Sequence, residues 1–214
     1  MKELLALSNP YSLAVSQPPN IKSTPIAQQL LGAHYVPDIG TVTTSIPAVC
    51  DTAIVHRSSS LMPELFDKSF RFWESKKTRN YLTGIVFHLF VLLGTWALLI
   101  PPVRWGLAKI ISAPGQGPSS EQKRGNRLEY RAVATAEPNQ LESKPIRVLG
   151  SYSFEGCPYF LTGILLAEAA MVLAESRIVG ELEGGYLTPS MLGQEYIDRL
   201  EQVGVAIHAE VLDG

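Results

Sequence analysis

The sequence predicts an α+β fold: a mixed α/β sheet domain with an inserted hydrophobic helix. Three observations carry this. Arg127–Thr135 and Val205–Leu212 alternate apolar with other residues in the period of a half-buried strand. Phe160–Ser176 and the stretch opened by Thr188 have helical length and pattern. Tyr81–Val103 runs 23 residues without a charge.

From residue 1 to about residue 45 the chain is rich in Pro, Ser and Thr, with NPYS at Asn9–Ser12 and QPPN at Gln17–Asn20. These read as turns and short extended pieces. Ile46–Leu65 is an apolar stretch followed by His56, Arg57 and three serines. Phe66–Trp73 mixes polar and aromatic residues ahead of a short basic stretch.

The uncharged block follows. As a helix it would measure ~34 Å, about the thickness of a bilayer's hydrocarbon core. Lys76, Lys77 and Arg79 precede it, Arg104 and Lys109 follow it, and Tyr81, Trp96 and Trp105 lie near its ends. Such rings favour a membrane interface. Pro101-Pro102 would break a straight helix. The basic residues at both ends give no inside–outside asymmetry.

Ala113–Gly125 is a loop in which Ser119 and Gln122 suit a capping box. Arg127–Thr135 is a strand with Leu128, Tyr130, Ala132 and Ala134 on one face. Pro145–Tyr152 is a second strand. In the helix Phe160–Ser176, Glu168 and Glu175 share a stripe while Leu161, Ile164, Leu165, Met171 and Val172 pack elsewhere. A short strand is expected between this helix and the next. Thr188 is a good N-cap, with Pro189 at the first helical position. Leu192, Tyr196, Ile197 and Leu200 point inward, and Gly204 closes the helix in the left-handed region. The strand Val205–Leu212 follows. The expected organisation is an N-terminal part of the α/β domain at 1–80, a membrane- or lipid-contacting insertion at 81–112, and the rest of the domain at 113–214.

Bulk properties narrow the function. Hydrophobic residues make up 46% and charged residues 18% of the chain, which argues against disorder. A net charge of −2 without a basic stripe excludes nucleic acid as a partner. Cys50 and Cys157 lie far apart without metal-type spacing, so reduced thiols in an intracellular protein are expected. MKELLALSNPYS is too short in apolar residues for a secretory signal, so Met1 reads as a cytosolic start or as an internal start of a longer protein.

No metal motif, Walker sequence or G-x-S-x-G elbow is present, and catalytic residues cannot be assigned. GQGPSS at Gly115–Ser120 follows no strand, and Pro118 removes an amide that a phosphate would need, so it reads as a structural turn. His88, inside the uncharged block, reads as a neutral histidine hydrogen-bonded within a helical layer rather than a functional group at membrane depth. Asp51, His56, Arg57 and Ser58 form the densest polar cluster. Arg57 could hold a carboxylate or phosphate by its fork or cap a helix C-terminus. Glu168 and Glu175 read as the polar edge of a helix rather than acid/base carboxylates. Cys157 reads as a packed cysteine rather than an activated thiol.

Taken in order, several segments resemble the C-terminal portion of the saccharopine dehydrogenase-like oxidoreductase family, including its trans-acting enoyl reductase branch. They are NPYSL (Asn9–Leu13), CDTAIVHRSSSL (Cys50–Leu61), PGQGPSSEQ (Pro114–Gln122), FEGCPYFLTGILLAEAAMVL (Phe154–Leu173) and GGYLTPSMLGQEYIDRLEQVGVAIHAEVL (Gly184–Leu212). The last two are the most specific, resembling a glycine-tyrosine-helix element and a closing G-G-x-x-T-P, helix, strand element. The chain departs from the pattern at Glu155–Tyr159, where Cys157-Pro158 replaces the expected glycine region and Tyr159 is retained.

The resemblance implies the substrate or dimerisation region of an NAD(P)-dependent oxidoreductase acting on an acyl or lipid-related substrate. The Rossmann half would be missing, through truncation or because a separate protein supplies the cofactor domain. This chain is therefore expected to hold no cofactor and to be inactive alone. Arg57 and Tyr159 are the weak substrate or ligand candidates. A homodimer is an expected assembly. The family's eukaryotic members carry an apolar insertion at the same place and associate with membranes or lipid droplets. That implies a membrane-associated protein on the cytosolic face, at the endoplasmic reticulum or a lipid droplet. It also puts both flanks of the insertion on one side of the bilayer, so Tyr81–Val103 is expected to dip into or lie along one leaflet. The rival reading is a non-catalytic, membrane- or lipid-droplet-associated interaction module.

Overall fold

A computed structural model describes residues 9–15, 30–111, 126–136, 145–175 and 185–212. The chain divides into two compact units, Met1–Gly115 and Gln116–Gly214. Among the described residues the fold is mixed α+β, with five helices and two antiparallel three-stranded sheets. A single mixed sheet was the expectation. The strands instead divide into two sets, each closed by antiparallel pairing between chain neighbours.

In the first unit, β1 (Ala33–Val36) and β2 (Gly40–Thr44) form a hairpin with Val36 opposite Gly40 and Ala33 opposite Thr43. The turn places Asp38 at φ 67° and Gly40 at φ 102°. Aspartate and glycine tolerate this left-handed region better than most residues. β3 (Ser75–Lys77) adds to the other edge of β2, with Val42 opposite Lys77.

Between the strands runs α1 (Ala48–Leu61), which buries Ala48, Thr52, Ala53, His56 and Ser58. Three consecutive serines are poor helix formers, because their hydroxyls compete for backbone groups. Here each hydroxyl donates to a carbonyl of the helix itself: Ser58 to Ile54 at 3.0 Å, Ser59 to His56 at 3.0 Å and Ser60 to Arg57 at 2.8 Å. The helix ends at Leu61.

α2 (Tyr81–Ala97) opens on a reciprocal cap. Thr83 N–H donates to Asn80 Oδ1 at 2.9 Å, and Asn80 N–H donates to Thr83 Oγ1 at 3.2 Å. These bonds satisfy two backbone donors at the helix start. α2 meets the sheet at Gly84, the one fully buried residue of the helix. A Cβ there would sit 3.0 Å from Ala33 Cβ and 3.2 Å from Thr78 Oγ1. The Thr43 hydroxyl locks the contact, reaching the Gly84 carbonyl at 2.8 Å with the Gly32 carbonyl at 2.9 Å as the alternative acceptor. α2 ends just before Leu98, and α3 (Pro101–Ile110) leaves at 111° to it. Pro101 and Pro102 occupy the first two positions of α3, where a missing N–H costs no helical bond.

In the second unit, β4 (Arg127–Thr135) and β5 (Arg147–Glu155) pair along nine residues, and β6 (Val205–Leu212) adds to β5. α4 (Pro158–Glu175), a 3-10 turn at Pro189–Leu192 and α5 (Gly193–Gln202) complete it. Phe154, Leu161, Val172, Leu192, Tyr196, Leu200 and Val205 make the core. The four inward positions expected of α5 are buried or half-buried, and Gly204 takes φ 93° as its closing residue. The stretch expected to hold a short strand between α4 and α5 is described only from Gly185, and Gly185–Thr188 is irregular. β4 is more exposed than a half-buried strand: Tyr130, Ala132 and Ala134 lie open and only Leu128 and Val133 are half-buried.

Candidate membrane-contact site

α2 buries Gly84 against β1 and β2, keeps Ile85, Phe87, His88 and Val91 half-buried, and turns a broad face outward. Leu82, Val86, Phe90, Leu93 and Trp96 are exposed along it, Phe90 at 72%. The exposed series continues over the bend at Leu98, Leu99 and Ile100 and along α3 at Trp105 (70%) and Ile110 (82%). No charge interrupts it from Tyr81 to Val103. Scattered exposed apolar side chains are ordinary, but an unbroken helical surface of this extent is the mark of an interaction site.

The bend decides the geometry of that surface. α2 alone is 17 residues, roughly 26 Å, and falls short of a ~30 Å hydrocarbon core. α2 and α3 together are long enough by composition, but a 111° bend keeps them from forming one straight span. An elbow of two apolar helices instead suits shallow entry into one leaflet. Basic residues border it: Lys76 and Arg79 precede α2, Arg104 and Lys109 lie within α3. Lys76 Nζ sits 4.3 Å from the centre of the Phe87 ring.

His88 is the polar exception inside the block, and it faces the sheet. Its Nδ1 pairs with Thr44 Oγ1 at 2.7 Å, and its ring packs where a Cβ on Gly32 would stand. A polar group is thus satisfied on the protein side of α2 and kept off the outward face.

By length and composition, α4 is the one helix among the described residues able to cross a membrane by itself. Its inner face packs in the core of the second unit through Leu161 and Val172. Arg199 of α5 holds both of its carboxylates, Glu175 at 2.5 Å and Glu168 at 3.8 Å, and also Glu195 at 3.5 Å. Glu168 and Glu175 therefore lie along an ion-paired edge, which the sequence pattern anticipated without identifying Arg199 as the partner. Tyr196 adds a buried hydroxyl that donates to the Leu165 carbonyl at 2.9 Å.

The two ligand candidates fall in different places. Arg57, in the last part of α1 in the first unit, donates from Nη1 to the Leu13 carbonyl at 3.1 Å. Tyr159, in the first turn of α4 in the second unit, is exposed. Cys157 is buried and Cys50 exposed, both as free thiols. His56 is 2% exposed, stacked 4.2 Å from Tyr11 and edge-on to Phe70. Burial pushes it below the ordinary imidazole range, against a smaller opposing effect of its hydrogen bond to the Phe72 backbone. The Gly115–Ser120 turn and the capping box at Ser119 and Gln122 lie outside the described residues. Among the described residues, no three His, Cys, Asp or Glu side chains converge to hold a metal ion.

The capped start of α2 and its packing glycine escaped the sequence reading. Asn80-x-x-Thr83 was the available signal. Comparison with known proteins returns no matching family model, curated protein or solved structure.

Proposed function

We propose that this chain is a membrane-surface module, docking on a bilayer or lipid droplet by seating the α2–α3 elbow in one leaflet. The observation that carries the reading is the outward-facing apolar surface from Leu82 to Ile110, uncharged as far as Val103 and bent by 111° at 98–100. Burying such side chains in hydrocarbon is worth about 25 cal/mol per Å² of apolar surface, so several together drive stable docking. Phe90 and Trp96 supply insertion, while Lys76, Arg79, Arg104 and Lys109 favour anionic headgroups.

Flotation with phosphatidylcholine vesicles, with and without phosphatidylserine, tests this. The full chain should float in both and more strongly with the anionic lipid. Trp96 and Trp105 emission should shift to the blue and be quenched by bromine-labelled acyl chains. Phe90→Glu/Leu93→Glu should abolish flotation, because both positions are exposed and their replacement spares the core. Unchanged flotation of that variant would sink the reading.

A second reading, the substrate or dimerisation half of a saccharopine dehydrogenase-like oxidoreductase, draws on a different observation. Gly185–Leu212 runs as turn, helix and strand in the order which that resemblance implies. On this reading an acyl or lipid-related substrate reaches the enzyme at the same membrane surface, and hydride transfer needs a cofactor domain from elsewhere. A fluorescence titration with NADPH checks it: the 214-residue chain alone should give no saturable signal in the micromolar range.

A further inference from the structure

A cavity of about 120 Å³ lies in the first unit, away from the α2–α3 surface in its lining and in its chemistry. Its apolar walls are Pro10, Ala48, Val49 and Trp73, and its polar side chains include Ser45, Thr52 and Glu74. Three features there are unexplained by the packing of the fold.

Thr52 is 1% exposed, and its Oγ1 has no hydrogen-bond partner among the described residues. A buried hydroxyl left unpaired is destabilising unless something else supplies its partner. Glu74 accepts from Ser45 Oγ at 2.5 Å and shares a hydrogen bond with Asp51, the residue before Thr52 in α1. Burial, with the Asp51 carboxyl beside it, holds Glu74 above the ordinary carboxylate range. Trp73, next to Glu74, contributes an indole to the wall. A carboxylate, an unused hydroxyl acceptor and an indole, set in an apolar pocket, form the recognition set of an organic cation.

We propose that this cavity is a binding site for a small primary ammonium carried on a short apolar stem. Its N–H groups donate to the Glu74 carboxylate and to Thr52 Oγ1. The stem lies against Val49, Ala48 and the Trp73 ring. Carboxylates repel anions, which excludes phosphate and carboxylic acids. The volume is somewhat below that of the ~150 Å³ protein cavity known to hold benzene, so the cavity encloses about six non-hydrogen atoms and the rest of the ligand lies in its open mouth.

The test is calorimetric titration of the full chain with benzylammonium chloride, with benzyl alcohol as the neutral isostere and benzoate as the anionic one. Amide shifts along α1 and β2 locate the binding. Benzylammonium should saturate with a Kd on the order of 1 mM, as expected for a ligand of this size. Benzyl alcohol should bind at least about tenfold more weakly and benzoate not at all. Glu74→Gln should weaken benzylammonium about tenfold, and Thr52→Val about fivefold while keeping the shape of the site. Both variants should retain the wild-type amide spectrum elsewhere. No saturable signal up to about 20 mM, equal affinity for the alcohol, or a Glu74→Gln variant that binds unchanged would overturn the proposal.

Discussion

His56 and Glu74 show how single groups in the first unit couple stability to pH in opposite directions. His56 is kept neutral by burial, so its pKa in the folded chain lies below the ordinary value of about 6.5. The unfolded chain then binds protons first. Stability is full above about pH 6.5, falls as pH drops through the unfolded value, and levels off below the folded one. His34 is shifted the same way by burial and adds to that slope. Glu74 is raised, so its contribution is present at low pH and is lost as pH climbs above the ordinary carboxylate range of about 4.3. Two outcomes follow for urea unfolding read by tryptophan emission, which reports only the first unit because Trp73, Trp96 and Trp105 all belong to it. His56→Phe should flatten the loss of stability between pH 7 and pH 5.5 (about half a unit above to one unit below the free value), leaving the part due to His34. Glu74→Gln should raise the urea midpoint at neutral pH relative to the parent. Both effects come from tertiary burial. In sequence His56 was only one member of a polar cluster and Glu74 carried no signal at all.

At the scale of elements, the decisive contact is α2 on the first sheet. Gly84 lets the helix backbone approach Ala33 and Thr43, and a Cβ there already meets its neighbours at 3.0–3.5 Å. Gly84→Val should therefore destabilise the first unit by about 1–3 kcal/mol through overpacking, read as a lowered urea midpoint in the same emission assay. Substituting an outward residue, as in Leu93→Gln, should leave that midpoint nearly unchanged. In the second unit, Arg199 gathers the carboxylates of α4 and of its own helix. Arg199→Met should loosen α4 against α5, seen as faster amide exchange over both helices. The effect should shrink at high salt, because these side chains are in part solvent-exposed. The hydrophobic pattern made α4 and α5 legible, since their inward positions recur at helical spacing, although Met171, expected to pack, is exposed. α2 was legible as a helix and not as a packed one: in an all-apolar segment no period marks the inner face, and a single glycine selects it.

For the whole molecule, the bend between α2 and α3 governs how the chain could meet a bilayer. An elbow in one leaflet keeps 9–80 and 126–212 on the same side, whereas a straight span would separate them. In sealed vesicles carrying the full chain on their outer face, added protease should cut on both sides of the apolar block. Protection of one flank alone would restore the crossing. The sequence by itself determined the identity of the second unit's elements: alternation marked β4 and β6, helical spacing marked α4 and α5, and Gly204 marked the end of α5, whereas β1, β2, β3 and α1 of the first unit went unread. It also determined that one segment is apolar throughout and uncharged, and that Pro101-Pro102 would interrupt it. Only the tertiary structure decided that the strands close into two sheets, because strand pairing between chain segments leaves no mark in local periodicity. It alone decided which side of α2 is spent on the protein, and so which side remains exposed: that choice rests on the close approach at Gly84 and the Thr43 and His88 hydrogen bonds, made by residues far apart in the chain.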